Sequence, residues 1–240
     1  MRLRCFGVWV LAMLLGSTIG AQQGSSSLDA PTSLRLPSSL PPCGIAPVLG
    51  RLAVSSRVSM GIEVATECFG QVPAVDVIYA DTRSRPMSVR EFLDHLVAQA
   101  PGYRWSDMNG VAVVRPVESW SDPANPLNTR IDPFRLDNGI VSDALALILN
   151  VPREHGTLSN RAFSMTFGGG TLLDALNALV QARQGVGWHA GFFEYPPPLD
   201  KNLRLGVALV AFSPGDSTEG KRTSGLEIRV KRVSDFPLSR

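Results

Sequence analysis

Residues 88–105 read SVREFLDHLVAQAPGYRW, and residues 171–188 read TLLDALNALVQARQGVGW. The two stretches align without a gap at an offset of 83 positions. In each of them an acidic residue follows a hydroxyl residue by three positions, which is the spacing of a helix capping box. The identical positions are Leu93/Leu176, Leu96/Leu179, Val97/Val180, Gly102/Gly185 and Trp105/Trp188. We interpret the stretches as one unit present twice, the alternative being a coincidental match of two amphipathic helices.

The first copy predicts a capped helix followed by a hairpin. Ser88 is a suitable N-cap, Glu91 completes the box, and Pro101 with Gly102 ends the helix. Residues 103–116 then read as two strands joined by a turn at residues 107–110. The apolar stripe of the helix comprises Val89, Phe92, Leu93, Leu96, Val97 and Ala100.

The elements that precede this helix repeat in the second half. Residues 45–53 show helical spacing of apolar residues, residues 58–64 alternate as a half-buried strand, and residues 74–81 form another strand. In the second half the predicted elements are a strand at 131–136, helices at 142–151 and from Thr171, and strands at 162–167, 187–193 and 203–212. A further edge strand is predicted at 226–233.

This element order predicts an α+β fold of two similar small modules, each with two helices packed on short β-sheets. Each module runs strand, helix, strand, strand, helix, hairpin. The predicted divisions are a signal peptide at 1–21, a flexible leader at 22–35, a first module at 36–116, a linker at 117–126, a second module at 127–214 and a C-terminal tail at 215–240.

The N-terminus predicts export. Arg2 and Arg4 precede an apolar run at 5–16 and small residues that end at Ala21, which is the pattern of a cleavable signal peptide. An uncleaved membrane anchor is the alternative, although the run is short for a bilayer span. The chain has 23 basic and 21 acidic residues, so removal of the two signal arginines leaves 21 of each. A neutral mature chain argues against nucleic-acid binding and against a polybasic membrane surface.

Two cysteines remain after the signal, Cys43 before the first helix and Cys68 after the following strand. In an oxidising compartment such a pair predicts a disulfide that closes a loop and stabilises the fold by about 3 kcal/mol. Two buried free thiols are the alternative.

The sequence predicts no catalytic, cofactor or metal site. It has no nucleophile elbow, phosphate loop or His-x-x-x-His pair, and its three histidines, His95, His155 and His189, are far apart. Several stretches have a functional interpretation and a simpler structural one. Asp81, Arg83 and Arg85 could form a polar cluster, but a solvated loop is the simpler interpretation. The glycines at 168–170 are better explained by a turn than by a phosphate loop. The proline-rich loop at 195–198 is interpreted as a stiff exposed loop rather than a docking peptide.

Residues 44–116 are similar to the short STN domain found at the N-terminus of secretins and TonB-dependent receptors, and residues 134–212 resemble it more weakly. The matching positions are Leu49, Leu52, Ala53, Val58, Ile62, Val75, Ser88, Leu93, Leu96, Gly102, Trp105, Val111, Val113 and Pro116. The resemblance implies a periplasmic interaction module without catalytic residues, which contacts other envelope proteins. No receptor barrel follows the second module in this sequence, so an accessory role is expected.

Three functions follow as hypotheses. The first is a noncatalytic, exported module that binds cell-envelope proteins through unpaired sheet edges, as part of a secretion, uptake or signalling system. The second is an exported enzyme with a site between the modules, which would recruit carboxylates such as Asp81 and Glu91. The third is a carrier of a small hydrophobic ligand held between helices and sheet.

Overall fold

A computed structural model of the protein describes residues 27–68, 86–152, 161–183, 186–194, 203–211 and 226–232. These segments contain four α-helices and twelve strands, which confirms the predicted α+β class. The helices are α1 (Ile45–Ser56), α2 (Val89–Gln99), α3 (Val141–Leu149) and α4 (Leu172–Arg183). The strands are β1 (Pro31–Thr32), β2 (Met60–Val64), β3 (Met87–Ser88), β4 (Tyr103–Met108), β5 (Val111–Pro116), β6 (Arg130–Ile131), β7 (Phe134–Gly139), β8 (Phe163–Phe167), β9 (Gly170–Thr171), β10 (Val186–Glu194), β11 (Leu203–Ala211) and β12 (Leu226–Arg232).

Six strands from both halves of the chain form one sheet in the order β12-β11-β10-β2-β5-β4. The hairpins β4–β5 and β10–β11 are antiparallel, whereas β2 runs parallel to both β5 and β10. Strand β2 therefore joins the two hairpins. The sequence indicated the six strands, but it did not indicate that the hairpins share a sheet. The remaining pairs are small: β1 with β3, β6 with β9, and β7 with β8.

The sheet has a separate hydrophobic core on each face. Helices α1 and α2 pack on one face, against β2, Ala112 and Val114. Helices α3 and α4 pack on the opposite face, against Val111, Val113 and Trp188. Because side chains alternate along a strand, β5 contributes residues to both cores. Each half of the protein thus covers one face of a shared sheet.

The two repeated stretches have the same local structure. Leu93 and Leu176 are fully buried on α2 and α4. The indole nitrogen of Trp105 donates to Asp94, and that of Trp188 donates to Asn177, which occupies the aligned position. Both helices begin with the predicted box. In α2 the amide of Glu91 donates to Ser88 Oγ and the amide of Ser88 donates to the Glu91 carboxylate, and in α4 Thr171 and Asp174 make the same two bonds.

The surroundings of the two tryptophans differ at the level of the sheet. Trp105 lies on β4 at the sheet edge and is partly exposed. Trp188 lies on the interior strand β10 opposite Gly61 and is 1% exposed. The units are therefore alike in their helix and hairpin, but β2 completes the first hairpin and also pairs with the second.

The correspondence extends upstream of the sequence match. Leu28 and Leu127 are both fully buried. The amide of Val89 donates to the carbonyl of Ala30, and the amide of Leu172 donates to the carbonyl of Thr129. Residues 27–35 therefore differ from the predicted flexible leader, because the burial of Leu28 and the β1–β3 pairing hold them against the first core. Residues 1–26 lie outside the described part of the chain.

Other predictions can be compared directly. The β4–β5 turn is confirmed, with Asn109 and Gly110 at φ of 56° and 85°, the left-handed values that a two-residue hairpin turn requires. Strand β12 lies at the sheet edge, as predicted for the C-terminal strand. The predicted strand at 74–81 lies outside the described residues. None of the helices in the described segments is both long and apolar enough to cross a bilayer.

Candidate functional site

Strand β4 is an edge of the six-stranded sheet, because within the described segments it has a neighbour, β5, on one side only. The amide of Val117 donates to the carbonyl of Gly102, so these residues form a hydrogen-bonded pair. Such pairs alternate along an antiparallel ladder, so the backbone groups of Trp105 and Asp107 point away from β5. The edge thus presents two N–H groups and two carbonyls that a further strand could bind.

A pocket of about 350 Å³ opens at the beginning of β4. Its walls come from the segment that leads into α1 and from the end of α2, which continues into β4. The lining residues carry no charge and are mostly apolar: Leu40, Pro41, Pro42, Cys43, Gly44, Ile45, Gln99, Ala100, Pro101, Gly102 and Tyr103. An uncharged apolar side chain is the group that such a pocket suits.

Local hydrogen bonds hold both walls of the pocket. The amide of Gly44 donates to the carbonyl of Pro41 over 2.9 Å, closing a tight turn in which Cys43 has a φ of 61°. The phenol oxygen of Tyr103 accepts from the amide of Ala65 over 3.0 Å. Burial raises the pKa of this phenol above its ordinary value, although the Ala65 amide acts in the opposite direction. Tyr103 therefore remains a neutral, fixed wall at physiological pH.

The predicted disulfide between Cys43 and Cys68 is present. Its Cα atoms are 5.0 Å apart, and Cys43 lines the pocket. The bond connects the turn before α1 to the 3-10 turn Thr66–Cys68 that follows β2. The disulfide thus ties the pocket-lining turn at Cys43 to the segment that follows β2.

Further side chains lie next to the pocket and the edge of β4. Val117, which pairs with Gly102 at the start of β4, is 46% exposed although it is a large apolar residue. On the α2 side of β4, the guanidinium of Arg90 lies 5.5 Å from the ring centre of Trp105. We use the term docking surface for the edge of β4 that has no neighbouring strand among the described residues, together with the pocket at its start and Val117.

A buried polar cluster lies on the opposite face of the sheet, beneath the docking surface. Glu63 on β2 and Arg115 on β5 form an ion pair in which each side chain is 1% exposed. The second carboxylate oxygen of Glu63 accepts from Ser119 Oγ over 2.8 Å and from Asn125 Nδ2 over 2.7 Å. The guanidinium of Arg115 also donates to Asn128 Oδ1 over 3.0 Å. We call these five residues the Glu63 cluster.

The Glu63 cluster fixes the chain between the two units. Residues 117–126 were predicted to be a linker, but Ser119 and Asn125 within them are buried and bonded to Glu63. Both carboxylate oxygens of Glu63 are therefore occupied by donors. The cluster holds the connecting segment against β2 and β5, and it is better explained as an anchor than as a reactive site.

The structure places the remaining predicted residues apart from one another. His95 is exposed on α2, with Nδ1 2.7 Å from the carbonyl of Glu91, and the Glu91 carboxylate is used in the helix cap. His189 is half-buried on β10. The glycines at 168–170 connect β8 to α4; Gly169 lies in a bend with a φ of 90°, and Gly170 belongs to β9. His155, Asp81, Arg83, Arg85 and residues 195–198 lie outside the described segments, and the described segments contain no group of three potential metal ligands.

A smaller pocket of about 180 Å³ lies at the end of α4. It is lined by Arg161, Ala162, Phe163, Ala182 and Arg183. Its lining includes no residue of β4, and it is not part of the docking surface.

His189 provides a test of how the second unit is packed. Burial lowers the pKa of its imidazole, whereas in the unfolded chain the group titrates at about 6.5. Below about pH 6.5 the unfolded state therefore binds more protons, and the free energy of unfolding falls as the pH falls. We expect His189→Gln to flatten this decline in urea unfolding curves recorded between pH 7 and 5. His95→Gln, at an exposed site, is the control and should keep the wild-type slope; an equal decline in all three proteins would contradict this placement of His189.

Comparisons with known proteins do not add to these observations. No protein-family model matches the chain, and no curated protein or solved structure matches it significantly. The geometry of the docking surface is therefore the main structural indication of function.

Proposed function

We propose that the protein is a noncatalytic, exported interaction module of the cell envelope, built from two STN-like units, and that it binds an extended segment of a partner protein along β4. The observation that carries this proposal is the free edge of β4, whose Trp105 and Asp107 backbone groups face away from the sheet. An added strand would satisfy these groups and extend the sheet by one member.

The pocket gives this edge a preference for certain segments. A strand that pairs with β4 ends beside Tyr103 and Gly102, where the pocket opens. Because the lining is uncharged, an aliphatic or proline side chain at that point of the segment would be buried without leaving a charge unpaired. Burial of one such side chain contributes about 1.5–3 kcal/mol, which corresponds to more than tenfold in affinity.

Export and the STN-like character are part of the proposal. The supporting features are the sequence pattern at residues 1–21, the motif positions at residues 44–116 and the disulfide, which is a bond typical of oxidising compartments. The partner is expected to be another envelope protein that has an exposed extended segment. The carrier hypothesis is less well supported, because the large pocket lies beside a strand edge rather than between the helices and the sheet.

Selection of peptides from a library tests the proposal. The purified protein is used to enrich phage that display random 12-residue peptides, and affinities are then measured for wild type and for Gly102→Phe. Gly102 lines the pocket, and a Cβ at this position meets no atom within 4 Å, so a large ring can be introduced beside the pocket without a backbone clash. We expect enriched peptides with an aliphatic or proline residue at one position and a loss of at least about tenfold in affinity for the variant.

Gly168→Phe is the matched control, since a Cβ there also meets no atom within 4 Å and the residue is remote from the pocket. It should bind the selected peptides with wild-type affinity. If no peptide is enriched, or if peptides bind Gly102→Phe as tightly as wild type, the proposal is wrong.

A further inference from the structure

We propose that the redox state of Cys43 and Cys68 controls the docking surface, so that the pocket exists in its binding-competent form only in the disulfide-bonded protein. This inference rests on the proposed function. Redox control of the pocket is not required for a segment to pair with β4, because the edge of β4 does not depend on the disulfide.

Cys43 is part of the pocket wall. Cys43 lies in the turn closed by Pro41 and Gly44, and it has a left-handed backbone with a φ of 61°. This conformation costs a non-glycine residue about 1 kcal/mol or more, so it persists only where the surroundings hold it in place. Two contacts hold this turn, the hydrogen bond from Gly44 to Pro41 and the covalent bond to Cys68.

Cys68 is connected to the opposite wall of the pocket. The amide of Cys68 donates to the carbonyl of Ala65 over 2.8 Å, and the amide of Ala65 donates to the phenol of Tyr103 over 3.0 Å. Tyr103 lines the pocket on the β4 side. Three successive links therefore connect one wall of the pocket to the other: the disulfide Cys43–Cys68, the hydrogen bond Cys68–Ala65 and the hydrogen bond Ala65–Tyr103. The disulfide is the covalent link among them.

Cys43 and Cys68 are both partly exposed, which places the disulfide near the surface rather than deep in the core. Reduction by a dithiol breaks the S–S bond and delivers two electrons and two protons, which form one thiol on each cysteine, while the dithiol becomes a disulfide. The turn at Cys43 is then free to leave its left-handed conformation, and the 3-10 turn that carries Cys68 is no longer tied to it.

Two blocked amino acids can probe the pocket directly. We titrate N-acetyl-leucine amide and N-acetyl-proline amide into three isotope-labelled samples. These are the oxidised protein, the protein reduced with dithiothreitol, and the Cys43→Ser/Cys68→Ser variant. In the oxidised protein we expect NMR shift changes at Gly44, Gly102 and Tyr103. In the reduced protein and in the variant we expect binding weakened by at least about tenfold.

Amide hydrogen exchange provides a second measurement on the same samples. Reduction should speed the exchange of the Ala65 amide by at least about tenfold and leave the buried Leu176 on α4 unchanged. Equal binding of the probes in both redox states, with Ala65 still protected, would overturn the redox inference and leave the proposed function intact. Absence of binding even to the oxidised protein would contradict the pocket and, with it, both proposals. Loss of protection at Leu176 would show global unfolding and would also overturn the inference of a local switch.

Discussion

Replacement of Glu63 by alanine is expected to lower the free energy of unfolding by about 3–5 kcal/mol. The substitution leaves Arg115, which is 1% exposed, without the carboxylate that balances its charge. It also removes the acceptor of Ser119 and Asn125, which are buried in the segment between the two units. Each buried donor left without a partner costs about 1–3 kcal/mol, and this cost is part of the expected loss.

Urea unfolding followed by tryptophan fluorescence measures this effect, because Trp120 packs against Arg115 with 5.3 Å between its ring centre and the guanidinium carbon. The informative control is the double variant Glu63→Met/Arg115→Met, which removes both charges and refills the space. It should recover the part of the loss that comes from the unpaired charge of Arg115, since a buried ion pair can be replaced by apolar residues at little cost, whereas Ser119 and Asn125 remain without their acceptor. A single variant that costs less than about 1 kcal/mol, or a double variant as unstable as the single, would contradict this account of the cluster.

The second large effect is expected for Gly61→Ala, with a loss of about 3 kcal/mol, the upper end of the usual cost of overpacking. A Cβ at Gly61 would lie 2.2 Å from Cε2 of Trp188, which is a severe clash. Trp188 cannot easily move, because it is 1% exposed and its indole nitrogen is bonded to Asn177. The new methyl group would therefore separate β2 from β10, the point at which the two units share the sheet.

Thermal unfolding of Gly61→Ala and of the control Gly102→Ala provides the comparison. A Cβ at Gly102 meets no atom within 4 Å, so the control should stay within about 0.5 kcal/mol of the wild type. If both variants were equally stable, β2 and β10 would not be packed as described. The shared sheet would then be wrong.

Much of the local structure could be predicted from the sequence. The capping boxes at Ser88 and Thr171, the hairpin turn at Asn109 and the disulfide each depend on residues close together in the chain, and the structure contains all of them. The apolar stripe of α2 also identified the buried face of that helix. These features were accessible because short-range chemistry determines them.

The arrangement of the two units could not be predicted in the same way. Residues 58–64 alternate as a half-buried strand, and a half-buried strand would expose the face that carries Glu63. That face is covered because α4 packs across the sheet from the second unit. A long-range pairing such as β2 with β10 leaves no periodic signal in either strand, and a buried charge is a rare exception to the pattern.

The candidate site was only partly accessible from sequence. Unpaired sheet edges were expected to bind partners, and β4 is such an edge. The pocket was not foreseen, because its walls come from residues 40–45 and 99–103 and its shape depends on a hydrogen bond between Ala65 and Tyr103. The sequence of residues 40–45, with its proline, glycine and cysteine, predicts a turn. The cavity beside that turn forms only when residues 99–103 lie against it.

The most direct test of the docking model is amide hydrogen exchange on β4 in the presence of a library-selected peptide. We predict that the amides of Trp105 and Asp107, which face away from the sheet, become protected by at least about tenfold, whereas the amide of Ser106, which faces β5, does not change. Unchanged exchange at Trp105 and Asp107 in the bound protein, or new protection confined to another part of the surface, would contradict the claim that a partner segment binds as an added strand on β4.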